Sequence, residues 1–111
     1  MKVDVERQGS VSVIVPRDAI TEASTETVEQ AVSGETSSGG VRLVIDMTHV
    51  PFVDSAGIEC LVRMARTGSS TALRLRVASL SETVREALYL TGTLKQLSVY
   101  DSVESAVRSY L

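Results

Sequence analysis

The segment from His49 to Gly57 contains the residues whose types and spacing could best carry chemistry. It ends in Asp54-Ser55-Ala56-Gly57. Asp and Ser favour the N-cap position of a helix, and Gly allows close approach to a first helical turn. Free N–H groups at a helix start can hold an anion, and an exposed Ser55 hydroxyl there could accept a phosphoryl group. The alternative that this spacing leaves open is that Ser55 only caps the helix.

The remaining side chains do not indicate a disulfide framework, a metal site or an enzyme active site. The chain has one cysteine, Cys60, and one histidine, His49, so a disulfide framework or a metal site of several Cys or His ligands is not expected. Cys60 lies beside an apolar helical stripe, which predicts a buried, reduced thiol. An enzyme with Ser55 as nucleophile would need a base, and His49 would have to fold back onto it from an exposed loop. We therefore expect a protein without catalytic residues.

Length and charge narrow the class of protein further. The chain has 111 residues, which suits one domain, and its 11 Lys and Arg against 14 Asp and Glu give a net charge of −3. Without a basic run, direct nucleic-acid binding is not expected. No apolar run approaches the length of a membrane span, and acidic residues near the start do not fit a signal peptide. The expectation is a cytoplasmic domain that does not insert into a membrane.

Apolar periodicity predicts the strands that position the Asp54-Ser55 segment. Two period-two patterns, around a turn at Gln8-Gly9, predict a hairpin whose second strand ends at Pro16. Arg74 and Arg76 are predicted to lie on the solvated face of a later strand. Beyond the hairpin, strands are predicted at 41–46, 73–77 and 97–99.

Four helices are predicted to alternate with the later strands. Ser79 with Glu82 is expected to form a capping box, and Asp101 with Glu104 to open the last helix. The helices are predicted over 22–33, from about 56, after 79 and after 101. The small and polar residues of 33–40 predict an exposed, mobile loop without an apolar anchor.

The order β-β-α-β-α-β-α-β-α predicts a single α/β domain with a mixed, mostly parallel sheet. The first two strands form its antiparallel hairpin, and the helices are expected mainly on one face. The predicted core residues are apolar and fall on the inner face of each element: Val13, Val15, Leu43, Ile45, Leu61, Val62, Leu75, Leu88 and Val107.

The run Leu43–Ile58, which contains the Asp-Ser-Ala-Gly motif, resembles the signature of STAS domains. These are the bacterial anti-sigma factor antagonists and their relatives in sulfate transporters. The runs Val84–Gly92 and Leu97–Ala106 resemble the third helix and the closing strand and helix of that family. The resemblance covers nearly the whole chain, and it implies one STAS domain over residues 1–111.

The resemblance implies a binding module that is switched by phosphorylation and needs no cofactor. Ser55 would be phosphorylated by a partner serine kinase that is also the anti-sigma factor, and a serine phosphatase would reverse the modification. The unphosphorylated form would bind the kinase and so release a sigma factor. The implied partner surface comprises Asp18, Asp54, Ala56, Gly57, Ile58 and Glu59. The alternative is a STAS subunit that regulates a lipid or anion transport system, or one that binds a nucleotide.

The chain departs from the family pattern at two places. Val15-Pro16-Arg17-Asp18 stands where the family commonly has a Gly-x-Leu-Asp turn, so Asp18 matches while the glycine and leucine are absent. Glu59 stands where relatives usually have a small residue. A carboxylate one turn after the serine would repel a phosphate, and it could alter the choice of partner.

Overall fold

A computed structural model describes residues 1–37, 42–66 and 74–111 of the chain. The described part contains five strands, four α-helices and one short 3₁₀ helix. The strands are Val3–Gln8 (β1), Val11–Pro16 (β2), Leu43–Asp46 (β3), Arg76–Ala78 (β4) and Ser98–Tyr100 (β5). The α-helices are Thr25–Ser37 (α1), Ser55–Ala65 (α2), Glu82–Leu90 (α3) and Val103–Arg108 (α4), and the 3₁₀ helix is Leu94–Gln96.

The strands form one mixed sheet in the order β1-β2-β3-β4-β5. β1 and β2 pair antiparallel, and their two-residue turn places Gly9 at a φ of 64°, where glycine has no steric cost. β2 to β5 pair in parallel, with Ile45 beside Val77 and Val77 beside Val99. The predicted single α/β domain with a mixed, mostly parallel sheet is therefore confirmed.

Three helices cover one face of the sheet, and the fourth covers the other. Buried residues of α1, α2 and α3, such as Val28, Leu61 and Leu88, pack in one cluster with Ile45 of β3. Ala106 of α4 and Tyr110 pack in a second cluster with Val13 and Val44. The helices thus lie mainly on one face, as predicted. The other face is not largely solvated, because α4 shields its central strands.

Arg76 corrects the prediction of a solvated β4 face. Its side chain lies under α4 and is only 7% exposed, whereas Arg74 is exposed as expected. The Arg76 guanidinium lies 3.8 Å from the ring centroid of Tyr110, and its Nε donates to the Ser109 hydroxyl at 3.0 Å. A cation over an aromatic ring retains a favourable interaction when it leaves water, so arginine can occupy a position with an apolar environment.

Most of the predicted core residues are buried, and two are not. Val62 and Val107 are only half-buried, so their helices are rotated slightly from the predicted orientation. On α2 the buried face is formed by Gly57, Cys60, Leu61, Met64 and Ala65. The buried members of the predicted core are Val13, Val15, Leu43, Ile45, Leu61, Leu75 and Leu88.

The prediction of a loop over 33–40 is wrong for its first half, because α1 continues to Ser37. Glu35 anchors this last turn to the hairpin: its Oε1 accepts from the Ser12 hydroxyl at 2.6 Å and from Arg7 at 3.2 Å. A polar residue can thus tie a helix end to a sheet where no apolar side chain does. Residues 38–40 lie outside the described part of the chain.

Three of the predicted helix starts are shifted. α1 begins at Thr25 rather than at residue 22. Ser81, rather than Ser79, caps α3 and accepts from the Val84 N–H at 3.2 Å. Ser79 has a φ of 61°, in the left-handed region, whereas an N-cap residue normally has an extended backbone, and its N–H donates to the Tyr100 carbonyl at 3.1 Å. Ser102, rather than Asp101, caps α4. Neighbouring Ser and Asp residues are nearly equivalent as caps in sequence, and tertiary contacts select between them.

Candidate functional site

The candidate site lies at the carboxyl ends of β2 and β3, where the two following loops pair with each other. The Ile20 N–H donates to the Phe52 carbonyl at 3.3 Å, and the Asp54 N–H donates to the Ile20 carbonyl at 3.4 Å. Ile20 and Val53 thereby form an isolated parallel bridge. This pairing brings the loop that carries Asp18 to the same sheet edge as the start of α2.

Gly57 allows the first turn of α2 to sit directly against the backbone of the first loop. A Cβ atom at Gly57 would lie 2.0 Å from the Ile20 carbonyl oxygen and 3.3 Å from the Val53 Cβ. No side chain fits in that space, so the predicted close packing at Gly57 is confirmed. The residue is buried, so it offers little surface to a partner, and its described role is to position α2.

Asp54 holds the junction together through both of its carboxylate oxygens. Oδ1 accepts from the Gly57 N–H at 2.8 Å and caps α2, while Oδ2 accepts from the Glu22 N–H at 3.1 Å in the other loop. These backbone donors, Gly57 first, lower the pKa of the Asp54 carboxyl from its usual 3.8. The ionised carboxylate therefore fixes the start of α2 relative to the loop before α1.

Ser55 is exposed and occupies the first position of α2. The cap hydrogen bond belongs to Asp54, so the interpretation of Ser55 as the helix cap is wrong. Among the residues that the structure describes, the Ser55 hydroxyl has no hydrogen-bond partner. The hydroxyl is thus free to react or to contact a partner without breaking an internal bond.

The remaining predicted site residues differ in their exposure and in the element that carries them. Ala56 and Ile58 are half-buried on α2, and Glu59 is exposed one turn after Ser55. Asp18 is exposed on the neighbouring loop, where its carboxylate accepts from the Ala19 N–H at 2.7 Å. The structure therefore places these side chains at one sheet edge, with Asp18 separated from the α2 residues by the paired loops.

Sequence reasoning missed Phe52 and Glu22 at this edge. Phe52 is the chain's only phenylalanine, and it is 51% exposed two residues before Asp54. A large aromatic residue directly after Pro51, in the loop between a strand and a helix, is the signal that could have marked it as a contact residue. Glu22 could not be found in this way, because only the pairing of the two loops brings it to Asp54.

The surface around Ser55 is acidic. Glu22 and Glu59 are exposed there, and the carboxylate of Asp54 accepts hydrogen bonds only from backbone N–H groups. Two arginines on the elements around this site pair elsewhere: Arg17, just after β2, donates to Asp4 at 2.8 Å, and Arg63 of α2 donates to Glu29 at 2.6 Å. A positively charged partner surface would complement this edge of the domain.

The other sequence candidates do not contribute to the site. Cys60 is buried, and burial followed by the nearby Glu29 carboxylate raises the pKa of its thiol to about 12. A thiol with this pKa is a poor nucleophile near neutral pH. His49 is exposed, as predicted. Within the three described stretches, no group of three or more His, Cys, Asp or Glu side chains is placed to hold a metal ion.

Replacing Asp54 by Asn should lower the melting temperature at neutral pH. The melting temperature of the variant should also fall less than that of the wild type as the pH is lowered. The folded-state pKa of Asp54 lies below the unfolded value, so its stabilisation is complete above about pH 4 and is lost as the pH falls through the folded pKa. Thermal melts of both proteins between about pH 6 and pH 2 should therefore converge towards acid. Melting curves that stay equally far apart at every pH would contradict this role of the carboxylate.

Comparison with known proteins identifies the family of this fold. Residues 2–106 match the model of the STAS domain family. BtrV from Bordetella bronchiseptica, which is named as a candidate anti-sigma factor antagonist, is 22% identical over 110 residues that cover 99% of this chain and 95% of the relative.

Two solved structures show the same fold. The structure of an anti-sigma factor antagonist from Mycobacterium paratuberculosis has a TM-score of 0.84 and 25% identity, and the match covers 98% of this chain and 92% of that one. The structure of the anti-sigma factor antagonist SpoIIAA in its unphosphorylated form has a TM-score of 0.75 and 18% identity, with 96% and 95% covered. Because the family match covers nearly the whole chain, this protein belongs to the STAS domain family.

Proposed function

We propose that this protein is an anti-sigma factor antagonist switched by phosphorylation of Ser55. The observation that carries the proposal is the free, exposed Ser55 hydroxyl at the start of an eleven-residue helix whose cap is already supplied by Asp54. The names of the Bordetella and Mycobacterium relatives support the general role. The description of SpoIIAA as an unphosphorylated form supports a phosphorylation switch in a protein of this fold.

A phosphate on Ser55 should leave the fold intact. It adds about −1.5 to −2 charges and three acceptor oxygens at the N-terminus of α2, where the helix dipole favours negative charge. The Ser55 side chain is exposed and its hydroxyl takes part in no described hydrogen bond, so the modification displaces no packing contact. The switch would therefore act on binding rather than on folding.

The phosphate would change the docking surface through charge and bulk. Glu22, Asp54 and Glu59 already make this surface acidic, and a partner of the unphosphorylated form would have to place its own groups close to Ser55. Additional negative charge and volume at that point would obstruct the same approach. The proposed partner is a serine kinase that is also the anti-sigma factor, and a serine phosphatase would restore the binding form.

We assign no catalytic residue to the domain. Ser55 has no hydrogen-bonded base among the described residues, and His49 projects from an exposed loop. Across the described ranges, no helix has the length and hydrophobicity needed to span a membrane. Action in the cytoplasm, on a partner protein and without direct contact to nucleic acid, is part of the proposal.

A titration of the serine kinase encoded with this protein tests the switch. Ser55→Ala should bind the kinase about as tightly as the wild type, because it adds neither charge nor bulk. Ser55→Glu should bind at least about tenfold more weakly, since it places a carboxylate in the docking surface. Gln8→Glu is the matched control. It adds the same charge on an exposed side chain at the hairpin turn, next to the first residue of β2 and therefore at the end of the sheet opposite to the site, and it should bind normally.

Equal affinity of Ser55→Glu and the wild type would contradict the switch. Absence of kinase binding by the wild type, together with capture of a transport protein or a nucleotide, would instead favour the alternative regulatory role.

A further inference from the structure

The C-terminal end of α3 exposes two consecutive large apolar side chains. Tyr89 is 71% exposed and Leu90 is 72% exposed. Isolated exposed apolar residues are common, but two neighbouring ones beside a depression are typical of a contact surface. Tyrosine is also enriched among the residues that contribute most to the affinity of protein interfaces.

Tyr89 separates two depressions that together form a groove along α3. One is a cavity of about 570 Å³, and the other a cavity of about 340 Å³; both are lined by Tyr89 and Leu94. We call the two together the α3 groove. Its other lining residues are Leu90, Gly92 and Lys95 at one end and Glu82, Arg85 and Glu86 at the other.

The α3 groove is held in shape by the turn after α3. Gly92 has a φ of 72°, which reverses the chain, and the Thr93 N–H donates to the Leu88 carbonyl at 2.8 Å. The 3₁₀ helix that follows places Leu94 next to α3. The groove is thus preformed, and a partner segment would not need to order it on binding.

A third depression lies between the helix that carries Ser55 and the 3₁₀ helix after α3. Ile58 and Glu59, one turn after Ser55, line it together with Thr93 and Gln96. Gln96 directly follows Lys95, which lines the α3 groove. The third depression thus adjoins the α3 groove on the side of α2.

We infer that the α3 groove is a second docking site for the same serine kinase, an inference that rests on the proposed function. A stable interface buries about 800 Å² on each partner, more than the few exposed side chains of the first α2 turn can supply. The adjoining third depression and α3 groove offer the additional area. The groove would take an apolar segment of the kinase, with an acidic side chain facing Lys95 and a basic one facing Glu82 and Glu86.

This arrangement separates anchoring from switching. The α3 groove contains no phosphorylated residue, so its contribution should be the same whether or not Ser55 carries negative charge. Effects of changes at two sites that do not touch each other usually combine independently. A groove variant should thus weaken the binding of wild type and Ser55→Glu by the same factor.

Kinase titrations of Tyr89→Ala, alone and combined with Ser55→Glu, test the inference. We expect Tyr89→Ala to bind about 30-fold more weakly, the loss typical of an interface anchor, and to melt like the wild type because Tyr89 is exposed. Val5→Ala is the matched control: it shortens another exposed apolar side chain, on the edge strand β1, and should bind normally.

The possible outcomes distinguish the inference from the proposed function. Normal binding by Tyr89→Ala together with weak binding by Ser55→Glu would overturn the α3 groove and leave the switch in place. Weak binding by Tyr89→Ala with normal binding by Ser55→Glu would support the groove and overturn the switch. If the wild type does not bind the kinase, both are overturned.

Discussion

Gly57→Ala should destabilise the domain by about 3 kcal/mol, at the upper end of the usual cost of inserting a methyl group into a packed contact. The added Cβ would lie 2.0 Å from the Ile20 carbonyl oxygen. The Cβ is fixed by its own backbone and the oxygen belongs to the backbone, so no side-chain rotation can relieve the contact. Either α2 must move or the pairing of Ile20 with the second loop must break. Thermal unfolding should show a fall of about 10–20 °C for a domain of this size.

Gly34→Ala is the matched control for this experiment. Gly34 lies within α1, and a Cβ there meets no described atom within 4 Å. Alanine is the better helix former by about 0.5–1 kcal/mol, so this variant should melt at or slightly above the wild-type temperature. If Gly57→Ala melts as Gly34→Ala does, α2 does not pack against Ile20 in the way described.

Leu61→Ala should cost about 2–5 kcal/mol, the range measured for truncation of a buried leucine. Leu61 has no exposed surface and lies in the main core between α2 and the sheet, beside Ile45 and Leu88. Removal of its isopropyl group forfeits transfer free energy and leaves a cavity that the neighbouring side chains fill only in part. Chemical denaturation of wild type and variant, with equal dependence on denaturant, would measure the loss.

Val62→Ala is the informative comparison, because sequence periodicity predicts both residues to be in the core. Val62 is only half-buried, so its truncation should cost about 1 kcal/mol or less. Equal losses for the two variants would mean that α2 presents the face predicted from periodicity rather than the one described.

Much of the fold can be predicted from local pattern, and the errors have a common cause. The strands around Val13, Ile45 and Val77 follow directly from apolar periodicity, because a strand buried in a sheet needs such residues. The rotation of α2, the burial of Arg76 and the helical course of 33–37 do not. These features depend on tertiary contacts. The burial of Arg76 depends on Tyr110, and the end of α1 depends on the hairpin.

In the candidate site, too, some features follow from local sequence and others only from tertiary contacts. Asp54 and Ser55 stand out in the sequence, since acid and hydroxyl residues before an apolar helix mark a helix start. Which of the two caps the helix is decided by geometry, and it is Asp54. The contacts of Ile20 with Phe52, Asp54 and the first turn of α2 join segments far apart in sequence, so no local pattern could reveal them.

The most direct test of the account is to map the phosphate after reaction with the kinase and ATP, and to measure how the product binds. Mass spectrometry should find the phosphate on Ser55, and Ser55→Ala should accept none. The phosphorylated protein should keep its melting behaviour and bind the kinase at least about tenfold more weakly than the unmodified protein. A phosphate on another residue, or equal affinity of the two forms, would contradict the assignment of Ser55 as the switch.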